Sequence, residues 1–378
     1  MKNILSSNGL TTGKRENILE QFKETSLFAL SKTYKNVTED ILFTEIGDSI
    51  KSKKIIAVDF HIDHITEGSK EIKGYDLNGR EMTIGYQKNN ILNIDHHADT
   101  EEMRRPICST NLAISYVNSY GICNRKNHIV VFHHGDADSV LSSLILSGVL
   151  SLKDENGKDI IYGGITAEEL FGSAAIAADH TGEENIIADV LQSIQKVKEK
   201  QGNFHQIAYS FKILIRLLGE LKKIDKINFD SEEREAILKR IFSDAPGSLS
   251  LVQKRFEDRY KIKKLADNLN DGFKEIHQTG GIYYCTVNER IDGELLPAVF
   301  GTKAQIIIVS YPSKEQGKYI TKVRLGMGAR EGASLHRLGI NKISPSFGGR
   351  WNAGSDSREG GTLLNAEEFA AKLYDEIS

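Results

Sequence analysis

Three short apolar runs, each ending abruptly in acidic or imidazole side chains, constrain this chain more than any other feature. Ile55-Ile56-Ala57-Val58 leads into Asp59, with His61 and Asp63 just behind. Ile91-Leu92-Asn93-Ile94 leads into Asp95-His96-His97, and Ile129-Val130-Val131-Phe132 leads into His133-His134-Gly135-Asp136-Ala137-Asp138. Runs this short and this rich in Ile and Val fit strands of a parallel sheet buried on both faces. Helical patterns intervene at 110–120 and 139–150; in the second, Val140, Leu144 and Ser147 share one face. Strand alternating with helix predicts an α/β fold with a parallel sheet, and right-handed crossovers bring the strand C-termini to one edge. Ligands of open α/β sheets bind beyond those carboxyl ends, where the three polar clusters are expected to converge.

A chain of 378 residues exceeds one comfortable core. The pattern divides into a parallel-sheet domain over 1–188, a charged helical connector over 189–276 and a smaller C-terminal α/β domain over 277–378. Before the first run, residues 16–50 read as helix, with Ile18, Phe22, Leu27 and Leu30 at helical spacing. The segment 65–90, punctuated by Gly68, Gly74 and Gly79, reads as a hairpin insertion. Ile213, Leu217 and Leu221 mark a helix in the connector. After Gly281 come the strand-like stretches IYYCTV, QIIIVSY and YITKVRLGM, then a Gly-rich turn SFGGRWNAGS and a closing helix from Ala366 to Ile377.

Hydrophobic residues make up 39% and charged residues 27%, ordinary for a globular chain. A net charge of −3 argues against sequence-blind binding to long duplex DNA, while leaving room for a local anion pocket. The three cysteines, Cys108, Cys123 and Cys285, show no CxxC spacing, so a disulfide framework is not expected. No stretch reaches the ~20 apolar residues of a membrane span, and the N-terminal residues lack a signal-peptide core. The expected location is the cytoplasm.

A fourth polar cluster is Asp179, in Ala-Ala-Ile-Ala-Ala-Asp-His-Thr-Gly. Taken singly, a strand-terminal Asp is commonly a turn or cap residue, and a lone His a hydrogen-bonded one. Four such clusters at element ends differ, because burying so many carboxylates without countercharge is very costly. Asp59, Asp136, Asp138 and Asp179 carry four negative charges, matching two divalent ions, with His134 and His96 as neutral ligands. Oxygen and imidazole donors without thiolate suit Mn²⁺ best, with Mg²⁺, Co²⁺ or Fe²⁺ compatible and Zn²⁺ less so.

These residues also carry a family resemblance. Asp95-His96-His97 after a strand resembles the name-giving motif of the DHH phosphoesterases. His134-x-Asp136-x-Asp138-Ser139 resembles that family's first motif, with Ser in place of the usual small Gly or Ala. Asp59 looks like the lone Asp of the second motif, and Ala178-Asp179-His180-Thr181-Gly182 like the fourth. Gly348-Gly349-Arg350-Trp351-Asn352-Ala353-Gly354-Ser355 is similar to the GGGH-x-x-AAG pattern of DHHA1 substrate domains, with Arg350 where His is usual. The motif order differs from the family's, so the chain reads as circularly permuted, which leaves a site intact if strand order in space is kept. Asp63 competes with Asp59 for the second motif; Asp59 is preferred because it directly ends its apolar run.

The resemblance implies that His134, Asp136 and Asp59 hold one metal, and that Asp138, Asp59, His96 and Asp179 hold the other. His97 then faces the substrate, and Asp95 orients a histidine. His133 either substitutes for His134 or packs beneath it. On the C-terminal side, Gly348 and Gly349 would offer backbone N–H groups to a phosphate, with Arg350, Asn352 and Arg324 (or Arg330) beside them. Trp351 either stacks on a base or sits in the core. The implied activity is two-metal hydrolysis of phosphate esters in a small nucleotide, a cyclic dinucleotide or a very short single-stranded oligonucleotide, with a homodimer as the candidate assembly. Two rivals are a pyrophosphatase or short-chain polyphosphatase, and a nucleotide sensor without turnover.

Overall fold

In a computed structural model, residues 26–377 are described except 33, 35–36, 48–51, 99, 125, 196, 198–202, 228–229, 269–271 and 277–280. Ile18 and Phe22 lie outside the described residues. The described chain forms two units. One comprises the residues up to His96, Cys108–Ala175 and Asn185–Val252; the other comprises His97–Ile107, Ile176–Glu184 and Gln253 onward.

The first unit is built on β1 (Leu27–Ala29), α1 (Glu39–Ile46), β2 (Lys54–Val58), β3 (Lys70–Tyr75), β4 (Glu81–Lys88) and β5 (Ile91–Ile94). There follow α2 (Ser109–Tyr120), β6 (His128–Phe132), α3 (Ala137–Leu146), a small pair β7 (Ile161–Tyr162) and β8 (Ile165–Thr166), then α4 (Ala167–Ile176). Helices α5 (Ile186–Ile194), α6 (Asn203–Leu221) and α7 (Ser231–Ile241) complete it. The main sheet runs β1-β6-β2-β5-β4-β3. Its first four strands are parallel, with Ile56 opposite Val130 and Val58 opposite Ile94. The expected runs therefore become β2, β5 and β6, with β2 in the middle. All four residues of each run are buried, as strands covered on both faces require.

One expectation is corrected. Leu27 belongs to a strand rather than to a helix over 16–50, because the Leu-Phe-Ala-Leu run pairs with β6, Leu27 opposite Val130. A short apolar run does not declare its own period, and a neighbouring strand edge decides it. Among the described residues of that region the helix is α1, capped by the Thr38 hydroxyl on the Ile41 N–H. The 65–90 hairpin forms as expected, as β3 and β4 between β2 and β5, and β4 pairs antiparallel with β5, so it extends the main sheet.

The C-terminal stretch of the second unit begins within α8 (Pro246–Asp267) and holds β9 (Lys274–Glu275), β10 (Ile282–Thr286), α9 (Leu296–Phe300), β11 (Ile306–Pro312) and β12 (Tyr319–Leu325). It ends with α10 (Ile340–Ile343), the two-strand turn β13 (Gly348–Gly349) and β14 (Ala353–Ser355), and α11 (Ala366–Ile377). The sheet order is β13-β14-β12-β11-β10-β9, antiparallel except for β10 with β11. One face packs Ile308 and Val323 against Phe369 and Leu373 of α11; the other packs Ile307 and Val309 against Ile262 of α8 and Leu296. Trp351 lies in the first of these clusters, so its apolar ring is a core group rather than an exposed stacking platform.

Of the helices between 189 and 276, α6 and α7 fall in the first unit and α8 spans the division at Val252. Ile213, Leu217 and Leu221 of α6 are buried, and α6 packs on α3, α5 and β1 within the first unit. Among the described residues, no helix is long and apolar enough to cross a membrane.

Candidate metal centre

Because β6, β2 and β5 are parallel neighbours, their polar C-terminal clusters are delivered side by side. Asp59 follows the central strand. Its backbone sits in the left-handed region at φ 59°, a conformation that Asp tolerates better than most residues. The loop is moulded by Asn93, a buried amide on β5 that donates to the carbonyls of Ala57 and Phe60 and accepts from the Ile62 N–H. The turn thus aims a carboxylate that is only 1% exposed between the clusters on either side.

On one side of Asp59, Oδ1 lies 3.7 Å from His96 Nε2, which is itself 3.6 Å from Asp138 Oδ2. On the other side, Oδ2 lies 3.4 Å from His134 Nδ1, which is 3.6 Å from Asp136 Oδ2. Two donors bonded to one cation at ~2.1 Å each stand about 3–3.5 Å apart, so these spacings resemble ligand-to-ligand separations. Asp59, His134 and Asp136 each offer a donor atom within 4.8 Å of the others, and so do His96, Cys108 and Asp138. These buried and half-buried acidic and imidazole groups can hold metal ions, and Asp59 stands in both neighbourhoods, as a bridging ligand must.

The surrounding hydrogen bonds fix the donors. Ser139 Oγ donates to Asp59 Oδ2 at 2.6 Å and lies 2.9 Å from His134 Nδ1. Ser109 Oγ is 3.3 Å from Asp59 Oδ1. Asp136 caps α3 by accepting from the Ser139 N–H at 3.0 Å, the usual work of an N-cap carboxylate. Asp138, fully buried, receives the first N–H groups of α2 on both oxygens, Ser109 at 2.8 Å and Thr110 at 2.7 Å. It is thus an anion seated at a helix N-terminus, where the dipole and unpaired N–H groups favour negative charge.

Asp63 lies away from this gathering, in the turn after the loop, with its N–H on the Val37 carbonyl. His133 is buried under the centre, its ring 4.8 Å from Phe60 and 4.0 Å from His134, and accepts the Tyr34 N–H. Asp95 is buried with Oδ2 3.8 Å from His61 Nδ1. His97 is half-buried and opens the segment assigned to the second unit.

Asp179 and the residues expected to contact the substrate, Arg324, Gly348, Gly349, Arg350 and Asn352, fall together in the second unit. Asp179 stands on a π-helical turn, Ala177–Thr181, a local form that recurs at functional positions. Arg350 Nη1 donates to its Oδ2 at 2.8 Å, and Arg324 Nη2 to its backbone carbonyl at 3.3 Å. Arg324 is 9% exposed, and burial pushes its guanidinium below its ordinary pKa. The next residue, His180, has both ring nitrogens engaged, Nε2 with the Ile107 carbonyl at 3.0 Å and Nδ1 with the Asn352 amide at 3.1 Å. Gly348 and Gly349 pair with Ser355 and Gly354 in a tight hairpin closed by the Arg350 N–H on the Ala353 carbonyl at 2.7 Å. A Cβ at Gly349 would overlap that same carbonyl, so the hairpin itself explains the glycine.

Several residues escaped the sequence reading. Ser109 and Thr110 carry no local signal. Cys108, a buried thiol beside His96 and Asp138, looked like a bystander. Asn93 did leave a trace, as the one polar residue in an apolar strand run.

No family model matches the chain, and no curated protein matches it. Among solved structures it is similar to a pGpG-specific phosphodiesterase, PggH, from Vibrio cholerae, at 10% identity and a TM-score of 0.35, over 69% of this chain and 85% of that one. It is also similar to the DHH domain of a member of a family of ribosomal proteins, at 15% identity and a TM-score of 0.24, over 70% of this chain and 65% of that one. At such identities and scores neither likeness assigns a function.

Proposed function

We propose that this chain is a DHH-type phosphoesterase that holds two divalent cations and hydrolyses phosphate esters of a small nucleotide. The carrying observation is Asp59, whose two oxygens face His96 on one side and His134 on the other. His134 and Asp136 serve one cation, His96 and Asp138 the other, with Asp59 between. Mn²⁺ is the leading metal, with Mg²⁺ or Co²⁺ compatible with the oxygen and imidazole donors. When bound, such a pair supplies a water of lowered pKa and positive charge for the phosphoryl oxygens.

The chain's own residues have distinct tasks. Ser139 and Ser109 hold Asp59 in orientation, and the N-terminus of α2 holds Asp138. Asp95 is assigned the orientation of a neighbouring imidazole. On the motif resemblance alone, Asp179 is assigned to the second cation, and His97 to a hydrogen bond on a phosphoryl oxygen or the leaving group. Gly348, Gly349, Arg350, Asn352 and Arg324 are assigned to the substrate's phosphate. The substrate class is a dinucleotide, a cyclic dinucleotide or a very short single strand, in keeping with the acidic net charge.

The test is a Mn²⁺-supplemented assay across dinucleotides, cyclic dinucleotides, 3′-phosphorylated nucleotides and pyrophosphate, with the Asp136→Ala variant beside the wild type. Hydrolysis of a nucleotide ester, abolished by the substitution, is the expected result. Release of orthophosphate from pyrophosphate alone makes the chain a pyrophosphatase. Nucleotide binding without any turnover makes it a sensor.

A further inference from the structure

The residues expected to grip phosphate are also wrapped around Asp179, and this points to a task beyond substrate binding. Three side chains from the β12–β14 region converge on two consecutive residues. Arg350 takes the Asp179 carboxylate at 2.8 Å, Arg324 takes the Asp179 carbonyl at 3.3 Å, and Asn352 takes His180 Nδ1 at 3.1 Å. The Ile107 carbonyl completes the hold on His180. A carbonyl can only accept, so Nε2 carries a proton toward Ile107.

We infer that Arg350 is a positioning residue for Asp179: its guanidinium fixes the carboxylate on the π-turn in the orientation from which Asp179 serves as a metal ligand. This rests on the proposed phosphoesterase reading and adds a residue to it. A π-turn is a rare backbone form that recurs at functional positions, and at this one contacts from outside the turn hold both the backbone and the side chain. Here the backbone is tied through Arg324 and the side chain through Arg350. Burying the Arg324 charge is unfavourable in itself, which makes its contact with the Asp179 carbonyl a specific feature of the turn. The Arg350 side chain remains 36% exposed, so it is reachable from solvent while it holds Asp179. The departure from the DHHA1 pattern, Arg in place of His, acquires a reason. An arginine is long enough and has enough donors in a rigid fork to hold a carboxylate firmly.

The experiment measures Mn²⁺ binding by calorimetry on the full chain, without substrate, for the wild type, Arg350→Ala, Arg350→Gln and Arg350→Lys. Thermal melting of each variant checks that it is folded. The expected result is two Mn²⁺ sites in the wild type, one of which weakens by roughly 10–100-fold in the Ala and Gln variants, the usual effect of losing a group that orients a ligand. Lys, which keeps the charge, recovers a substantial part of that loss. Folded Ala or Gln variants that bind both ions with wild-type affinity overturn the inference, even if KM rises, because Arg350 then serves only the substrate. A wild type that binds no Mn²⁺ removes the metal reading itself, which is a separate failure.

Discussion

Ser139 Oγ donates to Asp59 Oδ2 across 2.6 Å, joining two residues that stand 80 positions apart in the chain. The same hydroxyl lies 2.9 Å from His134 Nδ1, so one small side chain orients a carboxylate and an imidazole together. Ser139 stands where the motif that this stretch resembles usually has Gly or Ala. Ser139→Ala should weaken metal binding roughly 10–100-fold and lower turnover with it, while leaving the fold intact. Titration of the variant with Mn²⁺ checks this; an unaltered affinity would show that the hydroxyl is incidental.

Asp138 has two tasks, and they can be separated. Both of its oxygens hold N–H groups of α2, and one faces His96. Asp138→Ala should destabilise the first unit by about 1–3 kcal/mol, because buried N–H groups lose their acceptors. Asp138→Asn retains one acceptor and should recover part of that stability without recovering activity. Urea unfolding and an activity assay on both variants decide the matter, and a fully active Asn variant removes Asp138 from the metal centre.

Gly182 closes the π-turn with φ 67°, and a Cβ there would overlap the Glu294 carbonyl oxygen and the Leu295 Cα. Both obstacles are backbone, so no rotamer change relieves them. Gly182→Ala should therefore lower stability by about 2 kcal/mol or more, beyond the ~1 kcal/mol cost of a left-handed alanine. A melting temperature equal to that of the wild type would contradict the close approach.

Lys322, on β12 two residues before Arg324, is pulled down from 10.5 to about 8, first by burial and then by the Arg290 charge. Its folded pKa lies below the unfolded one, so between about pH 8 and 10.5 the unfolded chain binds more protons at this position. Lys322 therefore opposes folding fully below pH 8, and the penalty fades as pH rises toward 10.5. Lys322→Met should raise stability at pH 7 and flatten the rise of stability across that alkaline window. Denaturant unfolding at pH 7, 8, 9 and 10 tests the sign, and a Met variant less stable at pH 7 would reverse it.

How far the chain could be read in advance follows from the range of each interaction. The runs that became β2, β5 and β6 were legible because four buried apolar residues in succession leave few alternatives, and the acids that follow them had to sit at strand ends. The closing helix from Ala366 to Ile377 was legible through its own periodicity. Leu27 was not, because its strand exists only through its partner Val130. Nor was the allegiance of α6, whose apolar stripe announces burial without naming the surface that covers it.

The candidate centre divides in the same way. Residue type and strand-end position were enough to single out Asp59, His96, His134, Asp136 and Asp138, since local chemistry alone makes a cluster of acids and imidazoles conspicuous. The order β6-β2-β5, which sets Asp59 between the others, depends on hydrogen bonds between segments far apart in the chain. The hold of Arg350 on Asp179 spans 171 positions, and the grip of α2 on Asp138 nearly 30. Such contacts leave no mark in a linear pattern, because the free energy that selects them comes from the packing of whole elements rather than from neighbouring residues.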